Sequence, residues 1–302
     1  MFHRLLVPLD GSRLAESVLP SATLFAQVFD AKIVLLHILE RKAPAAIHGD
    51  HHLRTVPEAA EYLERVAEGL REQGVEVELH AHDAPEGDVA RSVAAHAEEE
   101  GADLIVLCTH GSGGVPELLY GSIAQRVLHR GAKPVLLIRP DWADSASSPF
   151  ADGRVLVPLD ATSSAELAIE PAAEIAGLLG ASLHLVMVVG TRESMRRGGL
   201  PTSGMLPSAT RAALEIESLD AESYLEEVAT RVRTSSLRVT KEVRHGDATS
   251  ALVEEAAEPG VALVVIATRG RAGLQAVWAG SVTAQLLART RAPVLLLRRV
   301  EG

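Results

Sequence analysis

Two copies of one glycine pattern carry the clearest chemistry in this 302-residue chain. Gly111 is followed, after nine residues, by Gly121-Ser122, and Gly270, after nine residues, by Gly280-Ser281. A glycine leaving a strand permits a tight turn and close approach of backbone to a ligand. A Gly-Ser pair opening a helix presents unpaired N–H groups and a hydroxyl at the positive end of the helix dipole, the chemistry of an anion site. The plainer reading is that Gly121 and Ser122 only cap their helix, and duplication copies structure as faithfully as function. A carboxylate accompanies each copy: Asp10 ends the first strand before Gly11-Ser12, and Asp160 stands before Ala161-Thr162. An Asp in this place caps the next helix, accepts sugar hydroxyls, or holds a metal.

Other reactive side chains fit blander roles. His48, Asp50, His51 and His52 crowd one loop, but adjacent His51 and His52 do not converge easily on a tetrahedral zinc. His80 and His82 share one face of a strand, with Asp83 next, and are read in the same way. His37 lies in an apolar strand and reads as a core histidine. Cys108, the only cysteine, reads as a small buried hydrophobe at a strand end, since redox sensing needs exposure and a lowered pKa. The chain has no G-x4-G-K-[ST] loop, no G-x-S-x-G and no H-E-x-x-H, so catalysis has no positive support.

The elements that hold these residues repeat with them. Arg4-Leu-Leu-Val-Pro-Leu-Asp10 returns as Arg154-Val-Leu-Val-Pro-Leu-Asp160, and Lys133-Pro-Val-Leu-Leu-Ile138 returns as Ala292-Pro-Val-Leu-Leu-Leu297. Offsets of 150 and 159 residues are a whole domain rather than a solenoid unit. Within the first half, strands are expected at 5–9, 33–39, 75–81, 104–108 and 135–139, with helices at 13–29, 58–72, 89–100 and 122–130 between them. The second half predicts strands near 154–159, 182–189, 237–243, 262–267 and 294–298. Short apolar strands alternating with helices give an α/β fold: two tandem Rossmann-like domains, each a five-stranded parallel doubly wound sheet with flanking helices. The domains are expected at 1–140 and 154–302, with 141–153 as linker. Two long loops, 40–57 and 190–210, fit lids or disordered segments.

Composition narrows the partners. The net charge is −11, which argues against nucleic acid and anionic membranes. Residues 1–150 hold 13 Lys/Arg, 22 Asp/Glu and ten of the twelve His, whereas 151–302 hold 16 Lys/Arg and 18 Asp/Glu. One cysteine excludes an internal disulfide framework. No secretory signal is expected at the amino terminus, and Val261–Ala267 is far short of the ~20 apolar residues of a membrane helix. A soluble, cytoplasmic protein is expected.

Val-Pro-Leu-Asp in the first strand, His37-Ile38 in the second, and Thr109-His-Gly111-x9-Gly121-Ser122 before a final Pro-Val-Leu-Leu strand resemble the universal stress protein family. The resemblance covers almost all of both halves. It implies a nucleotide-responsive stress or signalling protein that binds ATP, with or without Mg. Adenine would lie against Pro8 and the backbone near Ile38, and ribose would meet Asp10 and Cys108. The phosphates would meet Gly111, Gly121, Ser122 and Ile123. The matching positions of the second half are Pro158, Asp160, Val188, Ala267, Gly270, Gly280, Ser281 and Val282. Both halves depart from the family's Gly-x2-Gly-x9-Gly-(Ser/Thr) at its first glycine, which is Cys108 or Ala267 here. Arg269 and Arg271 flank the second copy, and Arg192, Arg196 and Arg197 stand in the 190–210 loop. A methyl at 267 and these cations predict the stronger ATP site in the second half; the alternative is that the arginines simply face solvent. Two further readings stay open: a slow ATPase or autophosphorylating enzyme using Ser122 or Ser281, and a nucleotide-free scaffold. The resemblance also implies an internal pseudo-dimer through the last strands, Val135–Arg139 and Val294–Arg298, and is compatible with a homodimer.

Overall fold

The computed structural model describes residues 1–39, 46–47, 50–51, 53–83, 88–109, 122–130, 132–140, 153–191, 193, 207–268 and 282–298. The chain divides into two compact units, the change falling between Ser147 and Ser148. In the first unit β1 (Arg4–Pro8), α1 (Arg13–Glu16), α2 (Leu19–Phe29) and β2 (Lys32–Leu39) come first. A small antiparallel pair, β3 (Ala46–Ile47) and β4 (Asp50–His51), lies within the expected 40–57 loop. Then follow α3 (Val56–Arg71), β5 (Val77–Asp83), α4 (Val89–Glu99), β6 (Leu104–Cys108), α5 (Ser122–Arg130) and β7 (Val135–Ile138).

The second unit runs β8 (Arg154–Leu159), α6 (Ser163–Glu166), α7 (Ile169–Leu179), β9 (Ser182–Val189) and α8 (Pro207–Val232). It ends with β10 (Val239–His245), α9 (Ala248–Ala256), β11 (Val261–Thr268), α10 (Val282–Arg289) and β12 (Val294–Arg298).

Each unit is an α/β layer structure around a parallel sheet. The strand order is β7-β6-β1-β2-β5 in the first and β12-β11-β8-β9-β10 in the second. The central strands are apolar without alternation because both faces are covered: Leu5, Leu6, Val7, Ile33 to Leu36 and Leu104 to Val106 are all fully buried. In this arrangement the direction of winding reverses between β1 and β6, and between β8 and β11. The carboxyl ends of those neighbours therefore flank the crevice where open α/β sheets bind ligands.

Several element limits differ from expectation for local reasons. The stretch 13–29 is two helices, with a break at Ser17–Val18 and Pro20 in the first turn of α2, where its missing N–H costs nothing. The strand expected from Val75 starts at Val77, because the Val75 N–H donates to Leu70 O (3.2 Å) and closes α3. Likewise Leu237 donates its N–H to Thr234 Oγ1 (3.2 Å), and β10 begins two residues later.

Helix starts repeat between the units as faithfully as strands do. Asp88 caps α4 by accepting the Arg91 N–H (3.2 Å), and Asp247 caps α9 by accepting the Ser250 N–H (2.9 Å). Asp88 also pairs with Arg130 and, at 3.8 Å, Arg126 of α5. The Arg130 hydrogen bond is the first cause holding the Asp88 carboxyl below its usual range. A folded-state pKa below the unfolded one stabilises above the unfolded value and is lost as pH falls through the folded value. Asp88→Ala is expected to cost ~1 kcal/mol near neutral pH. Denaturation of parent and variant should show that gap closing as pH falls below about 4; a gap independent of pH would contradict the carboxylate's role.

Candidate functional site at the strand ends

In the first unit the β1–β2 ladder extends one residue past β1, the Leu9 N–H donating to Leu36 O (2.8 Å). His37, buried in β2 as the sequence suggests, donates Nδ1–H to Leu9 O (2.8 Å). This contact fixes the chain as it leaves the sheet, and Asp10 follows at once. Asp10 is not itself the helix cap. Ser12 is, its Oγ accepting the Ala15 N–H (3.1 Å). Asp10 Oδ1 accepts both the Ser12 N–H (2.9 Å) and the Ser12 hydroxyl (2.6 Å). Its Oδ2 has no hydrogen-bond partner among the described residues.

The second unit repeats this to within 0.1 Å: Asp160 Oδ1 accepts the Thr162 N–H (3.0 Å) and hydroxyl (2.6 Å). Thr162 caps α6 through the Ala165 N–H (3.2 Å). Among the described residues, Asp160 Oδ2 is likewise unengaged. The turn needs a left-handed residue, which is Gly11 (φ +89°) in one unit and Ala161 (φ +58°) in the other. An alanine there is strained by the clash of its Cβ with the carbonyl. Ala161→Gly should therefore raise stability by about 0.5–1 kcal/mol after the added freedom of the unfolded glycine is subtracted. Thermal unfolding midpoints would show this, and a lower midpoint would mean the turn is relaxed.

The other wall of each crevice differs. Cys108 ends β6 and is half-buried, not the buried hydrophobe expected. Its thiol donates to Thr109 O (3.2 Å), and Sγ lies 3.4 Å from Ser17 Oγ. At the equivalent places of the second unit stand Ala267 and Leu167, the latter 43% exposed. A polar pair in one unit is thus an apolar pair in the other.

A tyrosine and a glutamate beside each Asp escaped the sequence reading. Tyr224 of α8 donates its hydroxyl to Glu166 Oε1 (3.0 Å), whose Oε2 receives Arg231 (3.2 Å). Tyr62 of α3 is buried beside Glu16. Burial first, and then the neighbouring Glu16 or Glu166, pushes both phenols well above the usual tyrosine range. The pairs are duplicates at offsets of 150 for Glu and 162 for Tyr. That regularity was the available signal, hidden by its two unequal offsets.

Of the expected ligand residues, Pro8, Asp10, Cys108, Pro158, Asp160 and Ala267 come together at the two crevices, as the last residues of β1, β6, β8 and β11 or their neighbours. Ile38 is buried in β2, opposite His82 of β5. Val188 is half-buried in β9, and Ile123 and Val282 are half-buried in the first turns of α5 and α10. Ser122 opens α5. Gly111, Gly121, Gly270, Gly280, Ser281 and the arginines at 192, 196, 197, 269 and 271 lie outside the described residues.

Away from the crevice, the second unit buries an ionic cluster between β9, β10 and α9. His184 (4% exposed) and Glu255 (2% exposed) meet with Nε2–Oε1 at 3.2 Å. The other imidazole nitrogen lies 2.8 Å from Thr240 Oγ1. Arg154 at 3.8 Å and Arg244 at 3.4 Å complete the surround of Glu255. Burial draws the His184 pKa down, with Glu255 opposing.

Comparison with known proteins places this geometry. The profile of the Universal stress protein family matches residues 1–139 and again 153–298. Universal stress protein YxiE of Bacillus subtilis is 29% identical over 153 residues, covering 46% of this chain and 100% of that protein. A universal stress protein of Mycolicibacterium smegmatis is 26% identical over 311 residues, covering 98% of this chain and 97% of that one. The crystal structure of a universal stress protein from Archaeoglobus fulgidus superposes with a TM-score of 0.68 at 19% identity, covering 98% of each chain, and so shares the fold. Because one family profile fits each half and a relative fits nearly the whole length, the chain belongs to the universal stress protein family as a tandem, two-domain member.

Proposed function

We propose that this protein binds ATP at the strand-end crevice of each unit and acts in the cytoplasm as a nucleotide-responsive stress or signalling protein. One repeated observation carries the reading: at both reversals of strand order, an Asp uses one carboxylate oxygen to hold the turn, and among the described residues the other is unengaged. A carboxylate is acceptor-only when ionised, so Oδ2 of Asp10 and of Asp160 suits a vicinal diol such as ribose. Pro8 and Pro158 offer half-buried apolar rings beside them, a surface for a purine. The duplicated Gly-x9-Gly-Ser segments and the first turns of α5 and α10 are the proposed phosphate cradle. Ala267, a methyl where the first unit has a thiol held by Ser17 and Thr109, favours the second crevice as the tighter site.

Bound ATP supplies negative charge and a rigid base at the crevice. It alters partner binding only by the difference in its affinity for the two states of the protein. Calorimetric titration of the full chain with ATP tests the reading. Saturable binding is expected, with unfolding shifted upward by about 2.7 kcal/mol at a hundredfold excess over Kd. A chain that purifies without nucleotide, gives no heat and does not shift would be the nucleotide-free scaffold instead.

A further inference from the structure

We propose that the first unit carries a site for a divalent transition cation of the zinc class, formed by the imidazoles of His80 and His82 on β5 and His96 on α4. Strand alternation puts Glu78, His80 and His82 on one face of β5. His96, in the last turn of α4, reaches the same face. The His82 and His96 ring centroids are 4.4 Å apart, and those of His80 and His82 are 5.8 Å apart. The His82 ring thus lies beside both His80 of its own strand and His96 of α4, a neighbourhood that the sequence interval between 82 and 96 conceals.

The hydrogen bonds around the rings are those of metal ligands. His96 Nδ1 lies 2.9 Å from Ser92 O, and a carbonyl only accepts, so the proton is on Nδ1 and the Nε2 lone pair is available. His80 Nδ1 lies 3.3 Å from Glu100 Oε1, which favours the same tautomer. A carbonyl or carboxylate behind a ligating imidazole orients the ring and raises its basicity. His82, between them, is exposed and rotates about its own side chain to close on the shared ion.

The donor set also argues which cation fits. The nearby carboxylates are already matched by cations: Glu78 by Arg4 and by Lys32 (2.8 Å), and Glu100 by Arg4 (2.8 Å). An oxygen-seeking calcium or magnesium ion would have to displace them, whereas imidazole nitrogen suits zinc, copper and nickel. Three protein ligands leave a fourth position for water or an incoming group. The second unit carries no three-histidine set at these positions among the described residues, although two of the equivalents, Glu242 and Glu255, group with His184. By strand register and repeat offset, His80, His82 and His96 correspond to Glu242, Arg244 and Glu255, and there Arg244 pairs with Glu255 (3.4 Å).

The test is a Zn2+ titration of the metal-free full chain at neutral pH, followed by calorimetry and by imidazole NMR signals. The parent is compared with His82→Asn, His96→Asn and, as a control for the other histidine-rich segment, His51→Asn/His52→Asn. Expected is one equivalent of Zn2+ weakened by about 10- to 100-fold or more in each of the first two variants and retained in the control. Perturbation of the His80, His82 and His96 signals on zinc addition should accompany it. Circular dichroism of the metal-free variants confirms that loss of zinc is not loss of fold. A parent that binds no zinc, or isotherms of His82→Asn and His96→Asn that match the parent's, would overturn the proposal.

Discussion

Asp160→Asn is expected to weaken ATP binding at the second unit by about 10- to 100-fold, the equivalent of one charge-assisted hydrogen bond of ~1.5–3 kcal/mol. Asparagine keeps an oxygen to accept the Thr162 N–H and hydroxyl, so the turn and the α6 cap survive. What it loses is the charge and acceptor strength of the second oxygen. The change therefore separates a binding role for the carboxylate from its structural one. Asp10→Asn makes the same change beside Ser12, and its effect on total affinity should be smaller if the second crevice is the tighter site. Gly121→Val and Gly280→Val titrations extend the comparison to the proposed phosphate cradle. Equal losses from the two units would sink the asymmetry. Unchanged affinity in both Asp variants, with the fold intact, would remove the ribose role of these carboxylates.

The second large effect concerns stability. Glu255→Ala should cost about 3 kcal/mol, because it takes the carboxylate from the buried His184 and from Arg154, while Arg244 keeps Glu242 and Glu254. The figure sits at the lower end of the range for breaking a buried ion pair because both arginines remain about 30% exposed and can rehydrate. Glu255→Gln, which keeps an acceptor but not the charge, should lose less. Amide exchange gives the local readout: protection in β9 and β10 should fall while β1 and β2 keep theirs. A loss under about 1 kcal/mol would class the cluster with surface ion pairs.

Much of the fold was legible because parallel strands buried on both faces are written as uninterrupted apolar runs. Leu104 to Cys108 and Val294 to Leu297 need no context to be recognised. Duplication doubled each signal, and the carboxylates Asp10 and Asp160 stood out because the repeat preserved them beside different neighbours. Strand limits were less legible, since Val75 and Leu237 are apolar yet spend their N–H groups on the ends of turns and helices.

The amino-acid sequence by itself determined that this is a duplicated α/β domain of the universal stress protein family with an Asp at each first strand end. Only the tertiary structure decided what those residues touch. It put Ser12 and Thr162, rather than the Asp, at the helix caps, and it set Tyr224 on Glu166. It also joined His96 to a strand pair that alone carried little. The reason is that sequence records local periodicity and repetition, whereas contacts between a strand and a helix depend on register and packing angle. Those are fixed only when the whole core closes.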